Sequence, residues 1–170
     1  MKSAFFFTTF MFVSLFSFCQ DSMAYKLKTL ENGFIYSKNT IKLYINQRYS
    51  IKTKEIDGKI EIEKLLDSTQ SHITDLNYVS LLPKQNAGKN ICIDFNVLDD
   101  ENSRSKYKTV LIVNNPYKEA LSYKAKIFSN KAGGYIETSV LDIRPGISAI
   151  ETWPYKIYDI ILYDLSIKNN

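Results

Sequence analysis

Along most of this chain apolar and polar residues alternate with a period of two, the spacing of a half-buried strand. Ile41, Leu43 and Ile45 point one way, with Lys42, Tyr44 and Asn46 opposite. Tyr49 to Ile56 and Lys59 to Glu63 are two alternating runs joined by Asp57-Gly58, a short-range hairpin signal. Ile91 to Val97 sets Ile91, Ile93, Phe95 and Val97 inward and Cys92, Asp94 and Asn96 outward, whereas Val110 to Val113 is apolar on both faces, as an interior strand is. Leu121, Tyr123, Ala125 and Ile127 alternate with Ser122, Lys124 and Lys126. Further strands are predicted over Ile136 to Ile143, Ile147 to Trp153 and Ile157 to Ile167, the last apolar on both sides and so central and covered on both faces.

Between these runs stand turn residues. Asn32-Gly33 fits a first hairpin, Pro83 to Asn90 a polar loop after a brief strand at Tyr78 to Leu82, and Asn114-Asn115-Pro116 a strand end. Only Lys64 to Asn77 breaks the alternation, where the spacing of Leu65, Leu66, Ile73 and Leu76 predicts at most one short helical turn near residues 65–76. Short strands at this rhythm predict an all-β fold, an antiparallel β-sandwich. The rhythm from Asn90 to Ile167 resembles that of immunoglobulin-like sandwiches, without the paired cysteines of antibody domains.

The chain centres on the corner SAIETWPYK, Ser148 to Lys156, which holds the single Trp. Ahead of it, Arg144-Pro145-Gly146 suits a type II turn, with Pro145 presetting one position and Gly146 taking a positive φ. Alternation puts Ile147, Ala149, Glu151 and Trp153 on one face, so Trp153 reads as a core plug ahead of a sugar-stacking platform. Pro154 holds Trp153 extended. A carboxylate on an apolar face needs partners, and Glu151 is expected to accept backbone amides of the corner or to pair with Arg144.

The 170 residues allow one domain. Residues 1–19 have the layout of a secretory signal peptide, with Lys2 ahead of the uncharged run Ala4 to Phe18. Ser17 and Cys19 suit cleavage before Gln20, leaving 20–170 as one exported domain, periplasmic or extracellular; lipidation at Cys19 is the alternative, disfavoured by the bulk of Phe18. No later stretch is long enough to span a bilayer. Removing Lys2 takes the charge from +4 to +3, and the lysines are scattered, so neither a nucleic-acid stripe nor a polybasic patch is expected. Cleavage also leaves Cys92 without an intrachain partner, expected to be an inert thiol.

Catalytic chemistry finds little foothold, and neither a cofactor nor a metal is expected. His72 is the single histidine, no nucleophile elbow accompanies it, and a hydrolase is the least favoured reading. Asp99, Asp100, Glu101 and Asn102 gather oxygen ligands without the spacing of a calcium loop. The expectation is a small non-catalytic module that binds a protein partner of the cell envelope. A carbohydrate-binding module is the alternative, with Tyr155, Tyr158, Tyr135 and Tyr117 as the candidate ligand or partner surface.

Overall fold

The computed structural model describes residues 28–29, 35–71, 90–101 and 104–168, with 28–29 and 35–36 as backbone alone. Among them eleven strands form and no helix: β1 Lys28–Thr29, β2 Ile35–Ser37, β3 Thr40–Tyr44, β4 Gln47–Ile56, β5 Lys59–Gln70, β6 Asn90–Asp99, β7 Tyr107–Asn114, β8 Ala120–Ser129, β9 Gly134–Thr138, β10 Ser148–Trp153 and β11 Asp159–Lys168. The signal segment, Cys19, the Asn32-Gly33 turn, His72, Tyr78 to Leu82, Pro83 to Lys89 and Asn102 lie outside the described residues.

All pairings are antiparallel, in the order β1-β2-β3-β11-β5-β4-β6-β7-β10, with β8 on the second side of β11 and β9 beyond it. The sheet curls into a half-barrel. Its organising strand is β11. Residues Asp159–Leu162 pair with β3, Ser166 meets Lys59 of β5, and β8 runs along the opposite side from Ile160 to Lys168. Two arms therefore leave the same edge of β11. The chain crosses between them at Ile45-Asn46, with Asn46 at φ 59, where the Tyr49 hydroxyl accepts the Tyr44 amide at 2.9 Å.

Inside the curl lies one apolar core, to which Ile41, Leu43, Ile51, Ile60, Ile93, Phe95, Leu111, Leu121, Ile160 and Leu162 each contribute a side chain at most 1% exposed. The Asp57-Gly58 turn takes positive φ at both positions, 51 and 74, the conformation a two-residue hairpin of this twist requires. Its tip is held to β11 by the Ile167 amide, which donates to the Gly58 carbonyl at 2.7 Å.

Three expectations are corrected, the first two for one physical reason. The helical turn near 65–76 does not form over 65–70, which belong to β5. Opposite β4 the register steps from Thr53↔Ile62 to Lys52↔Lys64 and from Ile51↔Leu65 to Ser50↔Asp67, so Glu63 and Leu66 are extra residues at two β-bulges. Each bulge advances the inward face by three positions instead of two. Ile60, Ile62, Leu65 and Ser68 thus share a face at a spacing that resembles a helix, and Leu66 is left exposed.

In β11 a bulge between Tyr163 and Ser166, with Asp164 at φ 53, does the same. Ile160 and Leu162 are buried before it and Leu165 and Ile167 after it, so the run that reads as apolar on both faces is one buried face that changes phase. In β6 the outward positions are also corrected. Asp94 and Asn96 are buried, and with Val110 and Ile112 of β7 they form a second buried face behind the core.

Candidate functional site

The β10 corner is assembled from the Asn115 side outward. Asn115 is fully buried at the end of β7, and its side-chain amide donates to the carbonyls of Glu119 and Ile143 at 2.8 Å and of Arg144 at 3.2 Å. Its Oδ1 accepts the Tyr117 amide at 2.9 Å. Arg144 and Pro145 are exposed, and Gly146 takes φ 66, the left-handed conformation that glycine adopts freely. From there β10 pairs with β7 in unbroken register, Ser148↔Asn114 to Trp153↔Thr109.

On its inner face β10 is tied to the end of β9 and to the segment after it. The Trp153 indole is 7% exposed and donates to the Thr138 hydroxyl at 3.1 Å, and Glu151 accepts the Leu141 amide at 2.9 Å. The carboxylate thus meets the backbone amide of Leu141, which precedes the corner, and among the described residues no bond joins it to Arg144. Past exposed Pro154, Thr109 secures the chain: its hydroxyl donates to the Tyr155 carbonyl at 2.6 Å and accepts the Ile157 amide at 2.9 Å.

The other edge of β10 has no partner strand among the described residues. Asn115 donates its amide to the carbonyl of Ile147 at 2.9 Å, directly across the ladder, which fixes 147, 149, 151 and 153 as the residues bonded to β7. By alternation Ser148, Ile150 and Thr152 turn their N–H and C=O groups away from β7, and no strand among the described residues pairs with them. Ile150 of β10 is 44% exposed, and Ile147, on the opposite face by alternation, 49%. No charged side chain stands among Ser148, Ile150 and Thr152.

The four candidate tyrosines do not form one surface. Tyr155 and Tyr158 are exposed at the corner, where the Lys156 ammonium lies 4.9 Å from the Tyr158 ring and 5.3 Å from that of Tyr107. Tyr117 is half-buried at the opposite end of β7, about 20 Å away at strand rise, its hydroxyl bonded to Thr53. Tyr135 is exposed on β9, with its hydroxyl 2.5 Å from Asp159.

Around Tyr135 the outer face of β3, β11, β8 and β9 carries a ladder that single-strand reading misses, because its members lie far apart in the chain. Lys42 stands 5.4 Å from both the Tyr44 and Tyr135 rings and 3.7 Å from Asp159. Lys126 stands 4.9 Å from the Tyr163 ring, whose hydroxyl is 2.6 Å from Glu137. Burial works against the Lys42 charge, yet the Tyr135 hydroxyl and the Asp159 carboxylate outweigh it and raise its pKa. The bond to Glu137, with some desolvation, raises Tyr163 to about 12. Each tyrosine ring of this ladder, Tyr44, Tyr135 and Tyr163, thus has a lysine ammonium within about 6 Å of its centre.

On the arm of β4 and β6, buried Asp94 accepts Arg48 Nε at 2.9 and 3.0 Å and the Ser71 hydroxyl at 3.0 Å. Burial pushes the neighbouring Cys92 thiol up, away from the reactive thiolate form. Among the described residues no group of three His, Cys, Asp or Glu side chains is arranged to hold a metal ion. Asp99 and Glu101 are exposed, and the Asp100 amide closes the β6–β7 loop on the Lys106 carbonyl at 2.9 Å. No helix of the described residues is long and apolar enough to cross a membrane. Comparison with protein-family models, with curated proteins and with solved structures yields no match.

Proposed function

We propose that this chain is a non-catalytic interaction module of the bacterial-type cell envelope, exported by the segment 1–19, which binds through the free edge of β10. The sandwich of immunoglobulin-like kind suggested by the strand rhythm belongs to the same reading. One observation carries it: among the described residues no strand pairs with the outward backbone groups of Ser148, Ile150 and Thr152, and Ile147 and Ile150 are exposed. Such an edge gives a partner strand its main-chain bonds, and the flanking apolar side chains supply specificity.

The carbohydrate-binding alternative has less support, because it needs neighbouring bare rings and the four tyrosines divide among three places. The deciding experiment is capture from envelope extract with the wild-type chain and with Ile150→Lys. A bound protein retained by the first and lost from the second, with circular dichroism unchanged, is the expected result. Equal retention, or retention of nothing but the bait, counts against the reading.

A further inference from the structure

We draw no further inference here: the strongest candidate, the second buried face of β6 and β7, on which Asp94, Asn96, Val110 and Ile112 are each at most 2% exposed and the Asn96 side-chain amide has no hydrogen-bond partner among the described residues, carries nothing because nothing in the structure shows what covers it.

Discussion

The side-chain amide of Asn115 donates to the carbonyl of Ile143 at 2.8 Å, and through that bond the end of β7 fixes where the chain turns into β10. The same group also holds Glu119 and Arg144, so three carbonyls converge on one buried nitrogen. Asn115→Ala should lower unfolding free energy by about 2–3 kcal/mol, since it strands buried acceptors. Asn115→Asp should do no better, because a carboxylate cannot donate. Urea denaturation of both variants provides the measurement.

Trp153 and Thr138 join β10 to the end of β9 by a single bond. Trp153→Phe and Thr138→Val should each cost about 1 kcal/mol on that account, and the double variant less than the sum. Trp153→Ala removes the core plug as well and should cost about 3–5 kcal/mol. If the two mild substitutions add fully, the bond contributes nothing to the seam.

Tyr49 is almost wholly buried, and desolvation is the main cause of a pKa raised from 10.0 to about 12. The neutral phenol is favoured in the fold, so its contribution is intact below pH 10 and lost as pH climbs from 10 through 12. Tyr163, raised to about 12 chiefly by its bond to Glu137, has the same sign. Unfolding free energy should therefore fall across that window. In Tyr49→Phe, which has no phenol to ionise there, the fall should be shallower. An equal slope in the variant would refute the assignment.

The bulges in β5 make opposite predictions for adjacent leucines. Leu65 packs against the core, so Leu65→Asp should destabilise by about 2 kcal/mol or more. Leu66 is the exposed extra residue, and Leu66→Asp should stay within about 0.5 kcal/mol. Thermal melts of the two variants distinguish a bulged strand from a helical turn, in which position 66 would have no reason to be the tolerant one.

Arg48 and Asp94 differ in exposure, 41% against 1% for their side chains. Arg48→Met leaves a buried carboxylate whose remaining partner among the described residues is Ser71, whereas Asp94→Asn frees a guanidinium that can turn to water. The first should therefore cost more than the second, by about 1–2 kcal/mol. Equilibrium denaturation should give that order, and the reverse order would show that Asp94 is not the costlier charge to strand.

The alternating runs were readable because one buried face per strand leaves a period of two, as in β8 and in Ile41 and Leu43 of β3. Asp57-Gly58 announced its own turn through the backbone conformation those residues tolerate. Reading failed where an inserted residue changed the phase, at Glu63 and Leu66 and at the Asp164 bulge, since a bulge carries no residue signature of its own. It failed again at Asp94 and Asn96, whose polar side chains read as outward because polarity alone does not show what lies behind a sheet. The β10 corner was visible from Pro145, Gly146 and Trp153. The free edge was not, because an absent neighbour is a property of topology, and Asn115 read as a mere strand stop.

The fork at β11 has a consequence for the order in which this protein can be made. The strand that joins both arms is the last of the described strands to be synthesised, so neither arm has its shared wall while the preceding residues emerge. Half of the strand pairings, those of β11 with β3, β5 and β8, of β4 with β6 and of β7 with β10, join strands that are not consecutive in the chain, and such pairings slow folding. Until Asp159 to Lys168 arrive, β3, β5 and β8 of a nascent chain lack the neighbour they share.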